Sequence, residues 1–247
     1  MQPILKTAAV RPGHEATTRL KRSRIRQIIE SHAFRTAYQP LFSLADNRIE
    51  GLECLTRFDV EPYQSPDQWF QEADEVGLGL ELEFDTMAAA LGGLRAIPCS
   101  DYLALNVSPE ALCDFRLATV LSAVDLRQIV LELTEHTRID DYASIVRALR
   151  PLRERGVRVA VDDVGAGYAN MRHILSLQPD LMKLDVSLTK DIDRCPARVA
   201  LLTGLVHFGR AIGARTVAEG VETVLQLRTL RTLGVDAVQG YLFGHPV

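Results

Sequence analysis

The sequence predicts an α/β barrel of the TIM type with eight strands, one of them antiparallel. Short apolar runs of strand length alternate with longer helical patterns, an order typical of parallel strands covered by helices. Eight such runs fit within 247 residues, a length that suits one barrel domain. The first two runs are joined only by "ADNR", which is too short for a helical crossover and makes one of them antiparallel.

The eight strand candidates are spread along the whole chain. They are TAYQPLFSL (36–44), IEGLECLTRF (49–58), YLALNVS (102–108), IVLELTE (129–135), VRVAVDD (157–163), LMKLD (181–185), TVAEGV (216–221) and AVQGYLF (237–243). Helices are expected over 141–156 and 198–213, because each pattern ends in a glycine that suits a helix C-cap. Ser108, followed by Pro109, suits the N-cap of a further helix.

The beginning of the chain is predicted to lie outside the domain. Residues 1–15 show neither helical nor strand periodicity, so we expect a linker or disordered tail, followed by the domain over 16–247. Between residues 17 and 31, Leu20 and three isoleucines recur near one face of a helical pattern. We expect a basic amphipathic helix there, with its apolar face packed on the domain.

Composition and charge exclude several classes of protein. The chain is 47% hydrophobic and 24% charged, which is enough apolar material for one core. The net charge is −4, and basic residues concentrate only over 19–26, so we expect no nucleic-acid polymer as a partner. No apolar run approaches the roughly 20 residues of a membrane span, and no signal peptide is visible. The four cysteines form no CxxC pair, which predicts a reducing, cytoplasmic setting.

Polar residues stand near the carboxyl end of almost every strand candidate. They are Glu53, Asn106, Glu132 with Glu135, Asp162 with Asp163, Lys183 with Asp185, Glu219 and Gln239. Any one of them taken alone is most often a helix N-cap or a solvated loop residue. In a barrel, however, these strand ends converge on the face where active sites lie. So many carboxylates around one opening would repel one another unless cations neutralised them.

Carboxylate and amide oxygens predict a site for a hard divalent cation. They favour Mg²⁺, Mn²⁺ or Ca²⁺ over Zn²⁺, and no histidine or cysteine pair stands at zinc-ligand spacing. The glycines of "DDVGAGYAN" offer a dinucleotide-binding interpretation, but the third glycine of that motif is missing and Asp163 would repel a pyrophosphate. We therefore expect these glycines to shape a sharp turn.

Eight motifs in this order resemble the EAL domain family, phosphodiesterases that hydrolyse the bacterial second messenger cyclic di-GMP. The resemblance extends from about residue 24 to the end of the chain. The motifs are "AYQPLF", "EGLECLTRF", "LNVS", "LELTE", "VDDVGAGYANM", "PDLMKLD", "AEGVE" and "QGYLFGHP". The second corresponds to the Glu-Ala-Leu run that names the family.

The resemblance implies a barrel with one antiparallel strand and a two-metal site. Glu53, Asn106, Glu132 and Asp162 match ligands of one metal, and Asp162 bridges to a second metal held with Asp163. The residues that match catalytic positions are Glu53, Lys183, Glu219, Gln239 and Glu135, the last as a brace for the loop after Asp163. The residues that match substrate contacts are Gln39, Leu55, Arg57 (near a phosphate), Asp185, Glu222 and Phe243.

The resemblance also implies cofactors and partners. Two Mg²⁺ or Mn²⁺ ions per site are expected to support hydrolysis of cyclic di-GMP to linear pGpG, and Ca²⁺ is expected to inhibit. A homodimer is expected, with regulatory domains in a longer parent protein. The family pattern further predicts a terminal helix after "GHP".

The sequence departs from the family pattern at several positions. Cys54 stands for the alanine of the Glu-Ala-Leu run, Phe58 for a tryptophan, Val164 for a phenylalanine and Ala166 for a threonine. None of them is a proposed metal ligand, but Val164 removes an aromatic ring from the loop that Glu135 is expected to brace.

Two other functions are open to the same residues. A receptor that binds cyclic di-GMP without turnover would usually lack one or more of the polar residues, and all are retained here. A Mg²⁺-assisted proton abstractor of the enolase type would carry a paired KxK base, whereas "MKLD" offers a single lysine.

Overall fold

The structure is a computed structural model that describes residues 12–96, 101–133, 139, 141–165 and 169–247. Within these residues the chain forms eight strands. They are β1 Phe34–Ser43, β2 Arg48–Phe58, β3 Tyr102–Asn106, β4 Ile129–Leu133, β5 Arg158–Val164, β6 Leu181–Leu184, β7 Arg215–Ala218 and β8 Ala237–Gln239. Each of these strands overlaps one of the predicted strands.

The described part of the chain also forms ten α-helices. They are α1 Pro12–Ser31, α2 Pro66–Glu75, α3 Gly79–Leu91, α4 Pro109–Cys113, α5 Phe115–Val120, α6 Tyr142–Arg153, α7 Ala169–Leu177, α8 Val186–Thr189, α9 Pro196–Ile212 and α10 Val224–Leu233. Two predicted caps are confirmed: Ser108 Oγ accepts a hydrogen bond from Ala111 N, and Gly213 ends α9 with a left-handed φ of 78°.

The strands close into a barrel in sequence order, which confirms the predicted fold class. From β2 to β8 each strand runs parallel to its neighbour. β1 is the antiparallel strand: it closes the barrel against β8, with Leu41 opposite Gln239 and Ser43 opposite Ala237. The tight connection to β2 reverses β1, as the sequence predicted.

The centre of the barrel is filled by inward-facing apolar side chains. The buried cluster consists of Leu41, Tyr102, Ala104, Val130, Ala160, Leu181, Val217 and Ala237. Because side chains alternate along a strand, Asn106, Asp162 and Gln239 lie two residues beyond three of these alanines, on the same side of their strands. This alternation brings polar groups to the carboxyl-terminal end of the barrel.

The chain divides into two compact units, and the barrel residues above belong to the larger one, Thr36–Leu55 with Met87–Val247. The smaller unit comprises Met1–Arg35 and Thr56–Thr86. In it, α1 and α2 pack through a buried cluster: Ile25, Ile28, Ile29, Phe58, Trp69, Ala73, Val76, Leu78 and Leu82. Arg24 Nη2 donates to both oxygens of the Glu72 carboxylate, at 2.5 Å to Oε1 and 2.6 Å to Oε2.

Two expectations for the beginning of the chain need correction. α1 begins at Pro12, so residues 12–15 of the predicted tail are helical, while residues 1–11 lie outside the described part. Leu20 is 66% exposed, although the sequence placed it on the buried face with the isoleucines. At about 100° per residue, Leu20 lies about 140° from Ile25 and about 180° from Ile29 around the helix, so it does not share their buried face.

Candidate active site

Four ionisable side chains from four different strands lie buried together. Glu53 comes from β2, Glu132 from β4, Asp162 from β5 and Lys183 from β6, and each is at most 8% exposed. Glu219, half-buried, directly follows β7. The described residues thus bring polar side chains from neighbouring strands together, as the sequence predicted.

Lys183 lies at the centre of this cluster. Its ammonium nitrogen is 2.9 Å from Glu219 Oε1, 3.0 Å from Glu132 Oε2, 3.2 Å from Asp162 Oδ1 and 3.3 Å from Glu53 Oε2. Burial alone would lower the pKa of Lys183, but the four carboxylates, led by Asp162, raise it well above its ordinary value. Lys183 is therefore a fixed positive charge.

One ammonium does not balance four carboxylates. Burial raises the pKa of Glu132 well above its usual range even though Lys183 opposes the change. Burial likewise raises the pKa of Glu219 to about 8, with Asp162 and Glu53 adding to the effect against Lys183. The surplus of negative charge is what a divalent cation would relieve.

The carboxylates form two groups with the spacing of a metal site. One oxygen from each of Glu53, Glu132 and Asp162 lies within 4.8 Å of the others, and the same holds for Asp162, Asp163 and Glu219. Asp162 belongs to both groups, and its role as a bridging ligand stays a prediction. Asn106, the remaining predicted ligand, is exposed at the end of β3, opposite Glu132 in the strand register.

A bulge at the end of β5 brings the two adjacent aspartates to one side. The register of β5 against β6 shifts between Val161 and Val164, and Asp163 adopts a left-handed φ of 54°. In a regular strand, neighbouring side chains point to opposite faces. The bulge removes this alternation, and Asp163 N donates to Asp162 Oδ1 at 2.9 Å.

Gln239 links the cluster to an adjacent groove. Its Nε2 donates to Glu53 Oε2 at 2.6 Å and to Gln39 Oε1 at 3.0 Å. Its buried Oε1 has no hydrogen-bond partner among the described residues, so an acceptor remains available beside the carboxylates. An oxygen of this kind, next to a set of carboxylates, fits the ligand chemistry of Mg²⁺ or Mn²⁺.

The groove has a volume of about 290 Å³ and opens beside this cluster. Its lining includes three predicted substrate contacts, Gln39, Leu55 and Glu222. Four further lining residues were not singled out from the sequence: Val186, Gly220, Gly240 and Tyr241. The sequence signal that could have found Tyr241 is its place two residues after Gln239. In the structure its side chain is 56% exposed.

The other predicted substrate contacts lie in different surroundings. Asp185 caps α8 and accepts a hydrogen bond from Ser187 N at 2.9 Å. Phe243 stacks on Phe42 with ring centroids 4.8 Å apart. Arg57 belongs to the smaller unit, where it donates to Thr56 O at 2.9 Å. Their roles toward a substrate stay predictions.

Some sequence-based expectations fall on residues outside the described part of the chain. Glu135, the predicted brace, and Ala166 are among them. Val164 is described and is 1% exposed at the end of β5. Cys54 is 8% exposed, as expected for a small buried residue beside Glu53.

Comparison with known proteins decides the family. The sequence model of the EAL domain matches residues 22–246. The chain belongs to the EAL domain family. This EAL domain is 32% identical over 228 residues to the cyclic di-GMP phosphodiesterase PA2567 of Pseudomonas aeruginosa, covering 87% of this chain and 38% of that protein. It spans less than half the length of the curated relatives it matches.

Solved structures resemble this EAL domain closely. The PaMucR phosphodiesterase in complex with cyclic di-GMP superposes with a TM-score of 0.81 at 25% identity, covering 92% of this chain and 97% of that one. BlrP1 of Klebsiella pneumoniae, in a manganese and cyclic di-GMP complex, gives a TM-score of 0.75 at 28% identity over 87% of this chain and 56% of that one. Within the described residues of the EAL domain, no helix is both long and apolar enough to cross a membrane.

Proposed function

We propose that this EAL domain hydrolyses one phosphodiester bond of cyclic di-GMP and yields linear pGpG. The observation that carries the proposal is the cluster of Glu53, Glu132, Asp162 and Glu219 around Lys183 beside the groove. Family membership supports the substrate, since several relatives are named cyclic di-GMP phosphodiesterases.

The residues present fit two divalent cations. All candidate ligands are hard oxygen donors, and the two overlapping groups share Asp162. Glu53, Asn106, Glu132 and Asp162 would hold one Mg²⁺ or Mn²⁺, and Asp162 with Asp163 would hold the other. When bound, such a pair supplies a nucleophilic hydroxide and neutralises charge on the phosphodiester. Ca²⁺ is expected to bind the same oxygens and to inhibit.

The chain's own residues would orient the reacting groups. Lys183 keeps its charge and can donate a hydrogen bond to the attacking water or to a phosphate oxygen. Gln239 holds the Glu53 carboxylate, and Glu219 contributes a further oxygen at the same end of the barrel. The groove lined by Gln39, Leu55 and Glu222 would receive the nucleotide.

The setting of the domain is part of the same proposal. Cys54, Cys113 and Cys195 form no disulfide within the described residues, in keeping with a reducing, cytoplasmic location. We also propose that the domain pairs as a homodimer, as the family resemblance implies. We propose further that it works within a longer protein with regulatory domains, since it spans only part of the length of its relatives.

The test is turnover of cyclic di-GMP by the purified protein with Mg²⁺ and with Mn²⁺. Glu53→Gln should lower kcat about a hundredfold or more, because loss of an outer contact to a metal ligand alone costs 10- to 100-fold. Circular dichroism should show an unchanged fold. Glu154→Gln, an exposed glutamate at the end of α6, is the matched control and should retain activity.

Two results would count against the proposal. Binding of cyclic di-GMP without turnover, with both metals, would favour a receptor. Full activity of Glu53→Gln would remove Glu53 from the catalytic centre.

A further inference from the structure

Two glutamine side chains connect the end of the chain to Glu53. Gln39, on β1, points its Nε2 at the carbonyl oxygen of Gly244, at a longer 3.5 Å, and its Oε1 accepts from Gln239 Nε2 at 3.0 Å. Gln239, on β8, donates with the same nitrogen to Glu53 Oε2 at 2.6 Å. The hydrogen bonds therefore form one continuous chain.

Each amide in this chain has a defined orientation. An ionised carboxylate only accepts hydrogen bonds, so Gln239 must present its NH₂ group to Glu53. The second hydrogen of that NH₂ group needs an acceptor, which is the Gln39 oxygen. Gln39 can supply its oxygen only if its own NH₂ group faces the other way, toward Gly244. Reversing either amide would place two oxygens or two NH₂ groups against each other.

The far end of the chain is held by the backbone. Val247 and Tyr38 exchange two backbone hydrogen bonds, of 2.8 and 3.2 Å, which fix the segment after Gly244 against β1. Gly244 N also donates to Gly240 O at 3.3 Å. Gln39 is thus placed between a fixed backbone segment and the buried Gln239, which is 3% exposed.

We propose that Gln39 is a positioning residue that orients the Glu53 carboxylate through Gln239. The proposal rests on the proposed function, and it gives Gln39 a role other than direct substrate contact. Rotation about the last side-chain bond of glutamine is otherwise loosely restrained. Without the Gln39 oxygen, the Gln239 amide would turn, and Glu53 would lose a charge-assisted hydrogen bond for part of the time.

The test compares Gln39→Leu with Gln39→Glu. Leucine removes both hydrogen bonds, whereas glutamate keeps the acceptor for Gln239 and loses only the donor toward the Gly244 carbonyl oxygen. We measure the Kd for Mn²⁺ by calorimetry, together with kcat and KM for cyclic di-GMP. Gln39→Leu should weaken Mn²⁺ binding and lower kcat about tenfold, with KM changed less than about twofold. Gln39→Glu should recover part of both losses, because it restores the acceptor for Gln239 but not the donor toward Gly244. Gln27→Leu, an exposed glutamine on α1, is the control.

A second comparison separates this role from direct contact with substrate. In a Gln239→Leu background, Gln39→Leu should have no further effect on kcat or on Mn²⁺ affinity, because the connecting amide is already absent. If Gln39→Leu does not fold, Gln39→Met provides a more flexible replacement for the same comparison.

The outcomes are distinct. Suppose that the wild-type protein binds Mn²⁺ and turns over cyclic di-GMP. The inference is then overturned if Gln39→Leu only raises KM, and does so equally in the wild-type protein and in the Gln239→Leu variant. If the unchanged protein neither binds Mn²⁺ nor turns over cyclic di-GMP, the proposed function itself fails.

Discussion

At the scale of single residues, Cys54 shows how burial and neighbouring charge act on one group. The thiol lies beside Glu53, and burial raises its pKa far above the ordinary value, with Glu132 and Glu53 adding to the effect. A raised pKa keeps the group in its thiol form, which is a poor nucleophile. Cys113, in contrast, is exposed.

We therefore expect alkylation to discriminate between these cysteines. Iodoacetamide at pH 8 should modify Cys113 at least about tenfold faster than Cys54 in the folded protein, and unfolding in urea should abolish the difference. Peptide mass spectrometry over a time course provides the measurement. Equal rates in the folded protein would show that Cys54 is accessible and ionised.

At the scale of elements, the end of β5 carries a local backbone cost. Asp163 has a left-handed φ of 54°, in a region that is unfavourable for residues with a Cβ atom. The conformation brings the Asp163 side chain near Asp162 and Glu219. The strand thus departs from regular geometry at the position where the carboxylates of Asp162 and Asp163 lie together.

The cost can be measured by comparing Asp163→Gly with Asp163→Ala. Both variants lack the carboxylate, so its loss cancels in the comparison. The glycine variant should have the higher free energy of unfolding, by about 1 kcal/mol, because the left-handed conformation is unfavourable for alanine but not for glycine. Urea denaturation would give the two values, and a more stable alanine variant would contradict this backbone geometry.

At the scale of the whole barrel, the two ends are built for different tasks. Opposite to the carboxylate cluster, Glu50 accepts from Arg215 at 2.9 Å, and Arg158 lies over the Tyr102 ring at 4.3 Å from its centroid. Gly51 fits against Tyr102 because it has no Cβ: one built there would lie 2.6 Å from the ring. This end of the barrel serves packing.

Gly51→Ala should accordingly destabilise the fold without altering the site. Overpacking of this kind costs about 1–3 kcal/mol in the free energy of unfolding. Gly204→Ala is the control: nothing lies within 4 Å of its added Cβ, and alanine in a helix is favoured by up to about 1 kcal/mol. The Kd for Mn²⁺ should change less than about twofold in both variants. A weaker Mn²⁺ affinity in Gly51→Ala would show that the two ends are coupled.

The sequence predicted much of this arrangement for a physical reason. Strand period and strand-end position determine which way Asn106, Asp162 and Gln239 point, and both can be read along the chain. The bulge at Asp163 could not be read, because a register shift depends on the neighbouring strand. The four contacts of Lys183 could not be read either, since they exist only once β2, β4, β5 and the residue after β7 are brought together by barrel closure.

The antiparallel direction of β1 determines which of its residues lie near Glu53. Because β1 runs opposite to β8, its early residues, and not its last ones, reach the end of the barrel where Glu53 lies. Gln39 and Gln239 therefore meet at the seam between the first and last strands. A local opening of this seam would be visible as faster amide hydrogen exchange in β1 and β8. It would remove the hydrogen bond from Gln239 to Glu53 and leave the contact between Lys183 and Glu53 in place.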